Sequence, residues 1–245
     1  MTRITLKFLL SLTLIFSLNI QAQSLSGDAI PTDKGNLVIH PIDHATFAMG
    51  WDNKTIYIDP VGGGEAFSSL PAPDMIIITD IHGDHLNQDT LTAVAEADTQ
   101  IIAPAAVIEQ LPDNLKAQAT QVNNDQLIQM QGISIEGIPM YNLTEDRLQF
   151  HEKGRGNGYV MNFGGTRIYI SGDTEDIPEM RALDNIDVAF VCFNLPYTMT
   201  EQQAADAVNA FRPDIVYPYH YRGSDLALFT SLVNDSIEVR EGAWY

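Results

Sequence analysis

The densest chemistry in this chain lies in the stretch MIIITDIHGDHLN, residues 75–87. Its first half is a continuous apolar run, the pattern of a strand covered on both faces. Its second half places Asp80, His82, Asp84 and His85 within six residues at the C-terminal mouth of that strand. Carboxylate oxygen and imidazole nitrogen are both competent zinc ligands, and four of them on a glycine-containing turn can serve two metal ions. Helix capping alone accounts for Asp84 or Asp89, but not for two histidines and two aspartates at one strand mouth. Cys192 is the only cysteine, which excludes an intrachain disulfide and a cysteine-based zinc knuckle. Any metal must be held by His, Asp and Glu.

The elements around this turn read as α/β. LVIHPIDHATFAMGW and TIYIDP form a predicted hairpin joined by Asp52-Asn53-Lys54, and GYVMNFGGTRIYISGD a second one turning at Gly164-Gly165. Short helices are expected over DTLTAVAEA, with Asp89 as N-cap, around AAVIEQL and near 175–184. The strand DVAFVCF, the helix TEQQAADAVNAF, the strand DIVYPYH and the helix DLALFTSLVND complete the chain. Each half begins with hairpins and ends with α/β units, so two sheets packed face to face with helices outside are expected, as one domain. Residues 23–36 (QSLSGDAIPTDKGN) are polar and carry Gly and Pro, and read as a linker into a domain spanning 37–245.

The first 22 residues follow the order of an export signal: Arg3 and Lys7, then the apolar run FLLSLTLIFSLNI, then Ile20-Gln21-Ala22 as cleavage site. The alternative is an uncleaved anchor, for which the run is marginal in length. Cleavage would give a periplasmic or secreted chain with no stable membrane insertion. The 245 residues carry 13 Lys+Arg against 32 Asp+Glu, a net charge of −19. That balance disfavours nucleic acid and anionic membrane surfaces as partners. A hydrophobic fraction of 45% excludes a disordered chain. The expected partner is a small-molecule substrate; the sequence leaves the oligomeric state open.

TDIHGDHLN resembles the HxHxDH motif of the metallo-β-lactamase superfamily, with Asp80 in place of the first histidine. IYIDP (56–60), YISGDTE (169–175) and VYPYHY (216–221) resemble other segments of that family, in its order and spacing. DHATF, GRGNGYV, GDTE and PYTMT are similar to the branch of predicted metal-dependent hydrolases related to ascorbate-6-phosphate lactonase. The resemblance covers nearly all of residues 37–223. It implies a four-layer αββα sandwich with a dinuclear site on its upper edge.

Carried over residue by residue, the resemblance assigns Asp80 and His82 to the first metal and Asp84 and His85 to the second. Asp173 would bridge both ions; its plainer role is an N-cap for the following helix. His220 would complete the second site, or else be a core histidine bonded to backbone. His151, the only histidine between the main motif and GDT, is either the third ligand of the first metal or a loop residue. Asn142 stands where some relatives carry a histidine. His44 would lie near the site as a substrate contact or ligand support, or be merely structural, and His40 reads as structural. Asp59 would anchor the metal loop through backbone N–H groups, or serve as an ordinary turn aspartate ahead of Pro60. Tyr197, Tyr219, Tyr221 and Arg222 flank the ligands as candidate substrate contacts.

The implied reaction is hydrolysis by a metal-bound hydroxide on a small ester, lactone or phosphodiester, with Asp84 and Asp173 orienting the nucleophile. Two divalent ions are expected, zinc first. The carboxylate of Asp80 hardens its site toward manganese or iron, or weakens it to leave a mononuclear enzyme. The rivals are a non-catalytic metal- or ligand-binding protein on a degenerate scaffold, and a β-lactamase. Gly62-Gly63-Gly64 lacks the following Lys-Ser/Thr of a phosphate loop, and no G-x-S-x-G elbow appears.

Overall fold

The structure is a computed structural model describing residues 25–245; the expected export signal lies outside the described residues. The first sheet holds β1 (Asp28–Thr32), β2 (Gly35–Asp43), β3 (Thr46–Trp51), β4 (Lys54–Ile58), β5 (Met75–Ile77), β6 (Gln100–Ala103) and β7 (Ala119–Gln121), side by side in chain order. The second holds β8 (Leu127–Met130), β9 (Ile133–Met140), β10 (Gly156–Phe163), β11 (Thr166–Ile170), β12 (Val188–Cys192), β13 (Ile215–Tyr219) and β14 (Glu238–Val239), again neighbours in order. In both sheets the leading strands pair antiparallel, as far as β4 and β11, and the rest pair parallel.

Period-2 alternation decides which side chains fill which layer. Phe47, Met49, Ile56, Ile58, Met75, Ile77 and Ile102 point into the shared core between the sheets, where Phe47 stacks on Phe190 at 4.5 Å. Their neighbours Ala48, Tyr57, Ile76, Ile78, Ile101 and Ala103 face outward. There they meet Leu91 of α1 (Gln88–Val94), Val107 of α2 (Ala105–Gln110) and Leu115 of α3 (Asp113–Lys116). The second sheet is covered by α4 (Pro178–Arg181), α5 (Glu201–Phe211) and α6 (Leu226–Leu232). Tyr169 meets Phe211 edge-on and Phe193 stacks on Phe229. Two sheets between two helical layers give the αββα sandwich that the sequence pattern implied. Among the described residues no helix is long and apolar enough to cross a membrane.

Both expected hairpin turns form. Asp52 and Asn53 adopt φ of 49° and 58°, and Gly164 and Gly165 adopt 56° and 93°, the left-handed values that two-residue turns require. Three readings need correction. Residues 28–36 are not linker but β1 and the start of β2; β1 is an edge strand whose only buried residue is Ile30, so its polar composition hides it. The segment read as one strand, 37–51, folds back at His44, whose φ is 53°. Asn87, not Asp89, caps α1, its side chain accepting from the Thr90 N–H at 2.8 Å.

Candidate metal centre

The turns after β4, β5, β11 and β13 open at one edge of the sandwich, and each delivers part of one cluster. Asp59 follows β4 in a left-handed conformation and is fully buried. Its carboxylate accepts from the Thr79 N–H and hydroxyl, both at 2.7 Å, and pairs with His85 Nδ1 at 2.8 Å. Asp59 thus fixes both the base of the HGDH loop and the direction of the His85 ring. Carboxylate support of this kind orients metal-binding histidines, so Asp59→Asn should weaken metal affinity about 10–100-fold in a competitive chelator titration.

The free edge of His85 faces Asp173: Nε2 lies 3.3 Å from Oδ2. Asp173 follows β11 beyond Gly172, whose φ is 59° and where an added Cβ would fall 2.4 Å from Met140 Sδ. His220, at φ 50° after β13, approaches Asp173 Oδ1 at 3.4 Å and Asp84 Oδ2 at 3.3 Å. His44 stacks on His220 with centroids 3.7 Å apart and reaches Asp84 at 3.4 Å. His151 Nε2 lies 3.2 Å from Asp173 Oδ2, and its Nδ1 meets Asn142 Oδ1 at 3.3 Å. Asn142 therefore braces His151, its amide donating to the carbonyls of Arg147 and Tyr197.

Burial alone would raise the pKa of Asp173, yet His220, His85 and His151 hold its carboxyl well below the usual range. Burial alone would likewise depress His85, but Asp173 and Asp59 hold it well above an ordinary imidazole. Asp84 is held low against its burial by His220 and His44. The field that would keep a proton on His85 is the field that attracts a cation.

Three residue groups bring donor atoms within 4.8 Å of one another: His44, Asp84 and His220; His85, Asp173 and His220; and Asp80, His82 and His151. The first two merge through His220. In that merged group His85 Nε2 and Asp173 Oδ1 are buried without a hydrogen-bond partner. Buried polar atoms are almost always paired, so two orphans within one group of donor atoms suit a metal ion. Asp84, His85, Asp173 and His220 could supply its ligands.

Asp80 behaves differently. Its fully buried carboxylate accepts from Arg155 Nε at 3.1 Å and Nη2 at 2.9 Å, with His82 Nδ1 at 2.8 Å. Its own burial works against ionisation, but His82, His85 and Arg155 bring its pKa down to about 2. Arg155, in the turn before β10, went unnoticed in the sequence.

A cavity of about 500 Å³ stands over the cluster, lined among others by His44, His82, Asp84, His151, Asp173, Tyr197, His220 and Arg222. Tyr197 is half exposed at its rim, and Arg222, also lining it, pairs with Asp43 at 3.2 Å and lies over the Tyr245 ring. Two expected contacts fall elsewhere. Tyr219 alternates inward from β13 and is fully buried against Phe47 and Trp244, outside the cavity lining. Tyr221 packs on Phe193 and Tyr245. Tyr245 is a further participant the sequence reading missed: its hydroxyl meets His44 Nδ1 at 2.7 Å and accepts from the Tyr221 N–H at 3.0 Å. His40, read as structural, meets the Ser26 carbonyl through Nδ1.

Comparison with known proteins agrees with the fold. A profile of the beta-lactamase superfamily domain matches residues 38–220. The chain belongs to that superfamily. Within it, the chain is 30% identical to a UPF0173 metal-dependent hydrolase of Thermococcus onnurineus over 81% of its own length and 92% of the relative's. The crystal structure of an inferred metal-dependent hydrolase from Parabacteroides distasonis is 38% identical, with a TM-score of 0.82 over 89% of this chain and 98% of the other. Igni18, a metallo hydrolase of Ignicoccus hospitalis, is 22% identical and has a TM-score of 0.70 over 84% and 94%, a likeness of fold alone. The chain is a metal-dependent hydrolase of the beta-lactamase superfamily.

Proposed function

We propose that this hydrolase cleaves a small ester, lactone or phosphodiester at a divalent ion, zinc first, held by Asp84, His85, Asp173 and His220. The observation that carries the reading is the pair of buried orphan atoms, His85 Nε2 and Asp173 Oδ1, beneath a cavity of substrate size. An ion bound there would lower the pKa of a water toward 7 and polarise the scissile group. The chain's own residues do the rest. Asp84, whose side chain is 43% exposed and lines the cavity, is available to orient an attacking water by accepting a hydrogen bond from it. Asp173 holds His85, His151 and His220 in register through contacts of 3.2–3.4 Å. Arg222 and Tyr197 at the rim can bind the substrate's polar end, and Phe150 offers it an apolar wall.

The lactone class is favoured by the resemblance of DHATF, GRGNGYV and PYTMT to the branch related to ascorbate-6-phosphate lactonase. The leader-like segment at 1–22 supports action outside the cytoplasm. The test is a panel of lactones, phosphodiesters and β-lactams offered to the zinc-loaded chain and to Asp84→Ala. Hydrolysis of a lactone or phosphodiester that disappears in the variant is the expected result. Turnover confined to β-lactams, or no turnover of any class, would reject the reading.

A further inference from the structure

We propose that Arg155 takes the place of one of the two metal ions: its guanidinium satisfies the Asp80 carboxylate, and the chain works with a single ion. The inference rests on the four-residue centre proposed above and sets its stoichiometry. Three observations lead to it.

Asp80 is already engaged through both carboxylate oxygens. Both of its oxygens accept from the guanidinium fork, and His82 Nδ1 contacts Oδ2 as well. The guanidinium is itself fixed: Nη2 also donates to the Phe150 carbonyl and lies 3.4 Å from His82 Nε2. Arginine keeps its charge at any working pH. A divalent ion on Asp80 would therefore share one buried carboxylate with a permanent cation.

The orphan atoms give independent support. Of the buried side-chain atoms without partners, His85 Nε2 and Asp173 Oδ1 belong to the centre, and none belongs to Asp80, His82 or His151. The Asp80 group pairs its own buried polar atoms, whereas the other group leaves His85 Nε2 and Asp173 Oδ1 unpaired.

The residue types are also matched to each other. A histidine at position 80 would offer Arg155 at most one neutral acceptor, while a carboxylate accepts the fork through two oxygens. The aspartate that departs from the family motif and the arginine in the GRGNG turn thus form one unit, 75 positions apart in the chain. It holds the HGDH loop against β10 by a built-in charge. His82 and His151, with ring centroids 5.1 Å apart, remain as uncoordinated walls of the cavity.

Zinc titration followed by native mass spectrometry tests the assignment without reference to turnover. The wild-type chain should saturate at one ion. His82→Ala, which alters a partly exposed side chain, should still bind one with affinity changed less than about threefold. Asp84→Ala should lose at least about tenfold in affinity. Arg155→Gln, checked for folding by circular dichroism, should free Asp80, His82 and His151 and saturate at two ions. Two ions of similar affinity on the wild type, with one lost in His82→Ala, would overturn the Arg155 assignment alone. No ion on the wild type would overturn both this assignment and the metal centre it rests on.

Discussion

Asp173→Asn should lower hydrolysis by roughly a thousandfold or more, a rise of about 4 kcal/mol in the barrier, while the chain stays folded. The substitution keeps the shape of the side chain and removes its charge. Asp173 is buried at the meeting point of His85, His151 and His220, each within 3.4 Å. Without the carboxylate, three imidazoles face one another around an amide, and a cation loses its most deeply buried anionic ligand. Two readouts separate this effect from general damage. Zinc affinity should fall together with turnover, and far-UV circular dichroism should be unchanged. Turnover within tenfold of wild type would mean that Asp173 does no more than cap the residues that follow it.

Asp80→Ala should destabilise the fold by about 3–5 kcal/mol, the usual cost of removing one partner from a buried ion pair. Arg155 would be left with a guanidinium that is largely enclosed, its side chain 16% exposed, and with no anion to meet it. The companion variant Asp80→Ala/Arg155→Met should recover much of that loss, since it removes both charges and leaves apolar volume behind. Urea denaturation of the two single variants and the double variant closes the cycle. If the Asp80 carboxylate merely capped its turn, Asp80→Ala would cost only about 0.5–2 kcal/mol, and the double variant would recover nothing.

The contrast between Asp80 and Asp84 shows where sequence reading succeeds and where it stops. The strand ends and turns around the site were legible because they carry local signals. MIIITD is too continuously apolar to be anything but interior, and HGDH must leave the strand at its mouth. Asp84, His85, Asp173 and His220 then converge because parallel strands present their ends at one edge of the sandwich. Arg155 carries no such signal. Its partner lies 75 positions away in the other sheet's half of the chain, and a single buried ion pair has no periodicity. Tyr219 and Tyr221 looked equivalent beside His220, but strand alternation sends Tyr219 into the core. Tyr245 reaches back 201 positions to His44, a contact that only the closed sandwich creates. The polar residues of β1 read as linker because an edge strand buries almost nothing.

The central claim is that hydrolysis depends on an ion at the Asp84, His85, Asp173 and His220 centre. The most direct measurement strips the purified chain with chelator, assays hydrolysis of its best substrate, and then restores zinc in steps. The expected result is loss of turnover on stripping and recovery in proportion to bound ion, complete at one per chain. Full turnover in the stripped chain, with its metal content verified at zero, would contradict the claim.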